Sequence, residues 1–224
     1  MVIKAVLFDL HGSLAHVKNE ISNEEIADYL FSRDYEVSPQ QLKATWMFVA
    51  FVDYPKHGYR SWRSYFSRIF WRLKVRVDKG TLNELVKLLE RNPYQLYPDA
   101  AEAVIKAKRN GLKTAIVTTI AYFQFKKAIE PIKKYFDFIM TGFEAGCDKT
   151  NPKMYKKTLE TLKVAPSEAA MIGDDLEVDV ILPKKLGIHA ILLDREGKIQ
   201  HNPAADAVVR NLNEAIETIV KSLR

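Results

Sequence analysis

The sequence predicts the α/β class, a parallel sheet interrupted by an all-helical insertion, and three observations carry that expectation. Residues 2–8 form a nearly continuous apolar run that ends in an acid, Asp9, the pattern of a buried parallel strand rather than a half-exposed one. From Ser22 to about Glu90 only helical patterns occur. Beyond Tyr97, helices and short apolar runs alternate, as βαβ units do when they close a parallel sheet.

Taken in order, His11-Gly12-Ser13 is a turn signal directly after the first strand. Ser22, with Glu25 three residues on, makes a capping box for the first helix, and Ser38-Pro39 opens another with proline at its first position. Trp62, Phe66, Ile69, Phe70 and Leu73 recur at helical spacing and give one apolar face; Arg68, Arg72 and Arg76 follow at steps of four on another. After Tyr97-Pro98-Asp99 a helix runs to Asn110, then Gly111, then a strand at residues 113–118. A helix from about Tyr122 leads to a strand at 136–141, and one from Asn151-Pro152 leads to a strand at 169–173. A last helix near residues 183–186 stops at Gly187 before a strand at 188–193. The expected organisation is a Rossmann-like core over residues 1–14 and 95–224 with an all-helical cap over residues 15–94. An insertion at the carboxyl end of a strand sits where open α/β sheets bind ligands, so it is positioned as a lid.

Apolar residues make up 47% and charged residues 28% of the 224, which excludes general disorder. Cys147 is the single cysteine, so no intramolecular disulfide can form, as suits a reducing compartment. No charged leader precedes the first strand, and no apolar run approaches the ~18 residues needed to span a bilayer. A cytoplasmic protein with no membrane partner is expected. The net charge of +6 is local: eight basic residues from Lys56 to Lys79 face one acid, Asp78. The segment reads as a solvated helix face, its alternative being a field that draws in an anionic substrate or nucleic acid. Nucleic acid is not the expected partner.

The polar groups gather at strand ends. Asp9 closes the first strand, Thr118 and Thr119 the second, and Asp174 and Asp175 the fourth, with Asp179 just beyond. In a parallel sheet these ends share one edge, so distant residues converge on one crevice. Several carboxylates there repel each other unless a cation sits among them, and oxygen ligands suit Mg²⁺. Lys149, in a loop after the third strand, can reach the same edge.

Phe8-Asp9-Leu10-His11-Gly12-Ser13-Leu14 resembles the opening signature of the haloacid dehalogenase-like hydrolases, normally Asp-x-Asp-Gly-Thr/Ser. Val117-Thr118-Thr119 is similar to that family's second motif, Lys149-Thr150-Asn151-Pro152 to its third, and Ile172-Gly173-Asp174-Asp175 with Asp179 to its fourth. The resemblance implies that Asp9 is a nucleophile and metal ligand, that the His11 backbone carbonyl is a second ligand, and that Asp174 binds the metal directly. Asp175 or Asp179 would then hold the metal through water. It implies that Ser13, Thr118, Thr119 and Lys149 grip the phosphoryl group of a small phosphorylated metabolite. His11 stands where the family's phosphatases carry their acid/base aspartate, so catalysis by His11 is expected to be slow. Leu182-Pro183 replaces a small Gly-Ala pair, which implies a helix starting at Pro183. The branch with a helical cap between the first two motifs is the one matched. Its aromatic residues, Trp46, Phe48, Phe51, Tyr54, Tyr59, Trp62, Tyr65 and Trp71, are expected mostly in the cap core. Arg60, Arg63 and Arg68 are candidates to meet a second anionic group. A phosphatase is the leading reading; the alternatives are a phospho-ligand-binding protein of the same fold and a dehalogenase-type hydrolase.

Overall fold

The computed structural model describes residues 2–221. Its strands are β1 (Ala5–Phe8), β2 (Ala15–Val17), β3 (Tyr94–Leu96), β4 (Lys113–Val117), β5 (Phe138–Met140), β6 (Ala169–Gly173), β7 (His189–Leu193) and β8 (Ala207–Val209). Six of them form a parallel sheet of order β5–β4–β1–β6–β7–β8. The first strand therefore lies between two later ones, with Phe8 in register with Ile116 on one side and Ile172 on the other. The chain fills the β4–β5 side before it crosses to β6–β7–β8, so the switch point falls beside β1, where such sheets open a ligand crevice.

Burial explains why β1 reads as one apolar run. Val6 and Phe8 join the core on one face, and Ala5 and Leu7 join the core on the other; all four are fully buried. A strand covered on both faces has no position left for a polar side chain. Burying Phe8 alone contributes about 1.5–3 kcal/mol.

Between β2 and β3 lie the helices α1 (Asn23–Phe31), α2 (Pro39–Phe48), α3 (Tyr54–His57), α4 (Trp62–Leu73) and α5 (Lys79–Glu90). The expected capping box forms at Ser22 with Glu25, and the helix opened by Ser38-Pro39 carries a second one, with Gln41, that was not anticipated. The helices share their own apolar cluster, with Leu30, Leu42, Phe66, Ile69 and Leu85 fully buried. A π-helical turn, Val49–Asp53, joins α2 to α3 and buries Asp53. Arg68 Nε donates to Asp53 Oδ2 at 2.6 Å, and an Arg72 nitrogen lies 4.0 Å from the same oxygen. Arg72 also covers the Phe48 ring, at 3.6 Å from its centroid. Two members of the basic row thus balance a buried acid inside the helical layer.

Three features differ from the sequence reading. β2 and β3 pair antiparallel, Ala15 opposite Leu96, so a two-stranded ribbon stands at the foot of the helices where only a boundary was expected. Three-residue strands carry too little periodicity to be recognised. β8 and the helix Leu212–Lys221 extend the core beyond the last expected strand. The helix placed at Pro183 begins earlier, at Leu176, as a π-helical turn that runs into the segment Leu182–Lys185. Pro183 has no N–H to return to that turn, and the carbonyl of Val178 five residues before it accepts the Tyr155 hydroxyl instead. Among the described residues no helix is long and apolar enough to cross a membrane.

Candidate functional site

Asp9 follows β1, and its N–H donates to Ile172 O at 2.9 Å, which fixes the residue at the carboxyl edge of the sheet. Thr118 is held at the end of β4 in the same way, its N–H donating to Met140 O at 3.0 Å. Asp174 follows β6, and Asp179 lies in the π-helical turn behind it. Asp9, Asp179 and Lys149 are all buried, at 7%, 1% and 6% exposure, so three charged groups have been taken out of water together. Lys149 Nζ bridges two of them, donating to Asp9 Oδ1 and lying 2.5 Å from Asp179 Oδ1.

Asp174 is more exposed, but an oxygen from each of Asp9, Asp174 and Asp179 lies within 4.8 Å of the others. At an effective dielectric near 20, charges at that spacing repel by about 3 kcal/mol per pair. Burial pushes the Asp9 carboxyl upward, and the Asp174 charge adds to this against the pull of Lys149. Burial likewise pushes Asp179 up to about 7, with Asp9 adding and Lys149 opposing. Burial alone would drive the Lys149 ammonium down; the charges of Asp179 and Asp9 outweigh it and hold the lysine protonated. One ammonium cannot neutralise three carboxylates. An all-oxygen donor set with surplus negative charge fits a divalent cation such as Mg²⁺.

Two glycines allow the acids to close up. A Cβ on Gly173 would lie 2.2 Å from Asp179 Oδ2, and one on Gly12, at φ +78°, would lie 2.2 Å from Asp174 Oδ2. Ser13 Oγ donates to Asp174 Oδ1 at 3.2 Å, so this hydroxyl supports the acid cluster. Thr118 Oγ1 accepts from Ile120 N–H at 3.2 Å. Thr119 Oγ1 accepts from the Lys149 N–H at 3.2 Å and so ties the lysine loop to β4. Asp175 stands apart from the acid group: its Oδ1 caps the helical turn, accepting from Glu177 N–H at 2.9 Å and Val178 N–H at 3.1 Å. His11 is exposed at the rim, its Nδ1 3.1 Å from the Tyr94 hydroxyl and its ring edge-on to the Tyr94 ring. Burial, then Glu20 and Asp9, push the Tyr94 phenol upward and keep it a neutral hydroxyl.

Sequence reasoning missed Arg195. Its guanidinium donates to Gly12 O at 3.2 Å and Ser13 O at 2.7 Å, and grips both oxygens of Asp99 at 3.1 and 3.2 Å. The carboxylate of Asp99 also accepts from Leu212 N–H at 2.7 Å, while the Tyr97 ring packs under the guanidinium. The loop carrying His11, Gly12 and Ser13 is thus anchored by a residue just past β7. That position follows the rule that singled out the acids, a charged residue at a strand's carboxyl end. Of the arginines proposed to meet a second anion, Arg68 is committed to Asp53, and only Arg60 faces the large cavity beside the site.

A family model, described as hydrolase, haloacid dehalogenase-like hydrolase, matches residues 3–187. Phosphoserine phosphatase of Thermus thermophilus is 32% identical over 123 residues, which is 54% of this chain; the chain spans about half of that enzyme's length, 49%. Over the whole fold the chain is similar to the crystal structure of a HAD phosphatase from Thermococcus onnurineus, with a TM-score of 0.67, 25% identity and coverage of 97% of this chain and 98% of that one. It shares its fold with a 2-haloacid dehalogenase from Pseudomonas syringae pv. tomato, with a TM-score of 0.71, 20% identity and coverage of 99% and 100%.

Two outcomes follow from this geometry. In the metal-free folded protein Asp179 keeps its proton to about 7 against an ordinary value of 3.8, and Asp9 is shifted the same way. The folded state then binds protons more tightly than the unfolded chain across that window, so stability falls as pH rises from about 4 to about 7. Thermal unfolding in EDTA is expected to show this decline, and either Mg²⁺ or Asp179→Asn is expected to flatten it. A melting temperature in EDTA that climbs over the window would contradict the charge imbalance. Arg195→Lys removes the planar fork and is expected to lower stability by about 1–3 kcal/mol and to weaken Mg²⁺ binding, read by denaturant unfolding and by calorimetric titration.

Proposed function

The chain belongs to the haloacid dehalogenase-like hydrolases, and we propose that it is a Mg²⁺-dependent phosphatase that cleaves a small phosphomonoester through an aspartyl-phosphate on Asp9. The observation that carries the proposal is the acid cluster. Asp9, Asp174 and Asp179 converge around one lysine, an arrangement that makes sense where a dianionic phosphoryl group and a cation must be held together. The phosphatase name of the Thermus relative supports it. Displacement of halide at carbon needs no cation, and for that chemistry the repulsion of Asp174 with Asp9 and Asp179 would go unrelieved.

Asp9, Asp174, Asp179 and the His11 carbonyl would hold the metal, with Asp175 supporting them through its cap. The bound cation would supply charge neutralisation and polarise a phosphoryl oxygen. An Asp9 carboxylate oxygen attacks phosphorus in line with the ester oxygen. The P–O ester bond breaks with its electron pair on the leaving oxygen, which takes a proton from the His11 imidazole. Thr118, the Thr119 N–H and Lys149 neutralise the transferring group, as preorganised donors do. Water then attacks phosphorus, giving its proton to His11, and the P–O bond to Asp9 breaks to restore the carboxylate and release inorganic phosphate. The helices between β2 and β3 act as a cap that excludes bulk water from these steps.

Asp9→Asn is expected to leave the fold intact and to cut phosphate release by a factor of about 10⁴ or more, the usual scale for losing a covalent nucleophile; excess EDTA should silence the parent. Turnover within about tenfold of the parent, far short of that scale, would remove Asp9 from the role. His11→Asp tests the acid/base position. Imidazole is longer than carboxylate, and this one is held toward Tyr94, so the aspartate variant is expected to turn over at least about tenfold faster, a conservative share of a 10²–10⁴ acid–base contribution, with little change in Mg²⁺ affinity. A slower His11→Asp enzyme would make histidine the adapted group.

A further inference from the structure

We infer that the phosphomonoester carries a flat, largely apolar leaving group, the phosphate of an aromatic alcohol, seated in the cavity between the helical insertion and the sheet; this rests on the phosphatase reading. The cavity holds about 480 Å³. That falls within the ~300–1,000 Å³ of small-molecule sites and is roughly three times the ~150 Å³ that accommodates one benzene. It adjoins the acid cluster at two lining residues: Thr119, whose side chain ties down Lys149, and Tyr94, whose hydroxyl meets His11. A phosphoryl group on Asp9 would therefore have its ester oxygen directed at this space.

The composition of the walls selects the leaving group. Trp46, Tyr54, Trp62, Tyr65 and Phe123 line the cavity, and each is half-buried or buried. Every charged lining residue (Glu20, Arg60, Glu90, Lys126, Lys127) is exposed, so charge stays at the mouth. Of the candidate arginines, Arg68 is withdrawn by Asp53, and Arg60 stays exposed at the mouth. A second phosphate or a carboxylate on the leaving group would lose its water inside without a buried charged partner, since the half-buried polar lining (Asn92, Thr119, Gln124) is neutral; an aromatic group escapes that cost. The π-helical turn contributes too. It sets Ala50 against the cavity, where a small side chain leaves room, and leaves Phe51 exposed at the edge. Such turns recur at functional sites because they shift the helical register locally.

The experiment compares kcat/KM, with Mg²⁺ and the full chain, for 2-naphthylmethyl phosphate and glycerol 3-phosphate. Both leave as primary alcohols, so intrinsic reactivity is matched. The aromatic ester is expected to be preferred by at least about tenfold, the low end of what one apolar-pocket contact discriminates. Ala50→Leu, which fills the space, is expected to cut that ratio. In parallel, 2-naphthylmethanol is expected to quench the fluorescence of Trp46 and Trp62 saturably, and less so in Ala50→Leu. Turnover of both esters without the preference overturns this inference and leaves the phosphatase reading standing. No phosphate release from either ester overturns the phosphatase reading; saturable quenching then still supports an aromatic site in the cavity, and its absence overturns that as well.

Discussion

Lys149 is the group on which the rest of the site depends. Its ammonium is buried between Asp9 and Asp179, and neither of those acids could stay ionised there without it. The reverse also holds, since burial pulls the lysine's pKa down and the two carboxylates are what hold it up. Breaking a buried pair by deleting one partner is commonly worth about 3–5 kcal/mol, because the survivor is left uncompensated. The three residues come from β1, the loop after β5 and the turn after β6, so a single electrostatic balance links three distant parts of the chain. The backbone is arranged to serve it: Thr119 accepts from the lysine's own N–H, and Gly173 leaves the space that Asp179 occupies.

The sheet order makes that convergence possible. With β1 between β4 and β6, the residues following all three strands open onto one edge, and the hydrogen bond from Asp9 to Ile172 O extends the ladder one residue past the strand. What holds the first loop in place is a second, more peripheral ion pair. Arg195 and Asp99 reach it from opposite ends of the core, and Asp99 also receives Leu212 N–H at the start of the last helix. The last β-strands and the C-terminal helix, remote in sequence from Asp9, thus help to fix the loop that borders it. A bidentate guanidinium is suited to this because it satisfies two carbonyls and a carboxylate from one rigid plane.

Much of this was legible in the sequence, for identifiable physical reasons. A strand buried on both faces must be apolar throughout, so residues 2–8 announced β1, and the acid that ended the run stood out as a charge with no place in a core. The capping box at Ser22 is a local hydrogen-bond pattern and appears where its spacing put it, and the helix at Ser38-Pro39 opens where its proline marked it. The parts that stayed hidden depend on long-range pairing. The β2–β3 ribbon joins residues some eighty positions apart through strands of three residues each. The Arg195 clamp is invisible without its partners, although its place after a strand was a usable signal. Asp175 and Asp179 could not be separated by spacing. The fold separates them, since one caps a turn with its carboxylate while the other turns inward to Lys149.

The helical insertion shows why charge on a helix says little until its partners are known. Arg68 and Arg72 sit four residues apart and read as a basic face, yet both turn toward Asp53, and both cover aromatic rings. The basic row is therefore partly structural, neutralising an acid that the π-helical turn buries. The aromatic residues beside it have a double position, Trp46, Trp62 and Tyr65 belonging to the cluster of the insertion while also lining the cavity. The edge-on contact of Trp62 with Phe123, at 5.3 Å, carries that apolar surface across to the helix that follows β4. The result is a low-dielectric wall that reaches the charged cluster through Thr119 and Tyr94. Fields from Asp9, Lys149 and any bound cation are screened less there than they would be in open water. The same packing that stabilises the insertion thereby strengthens the electrostatics of the crevice beneath it.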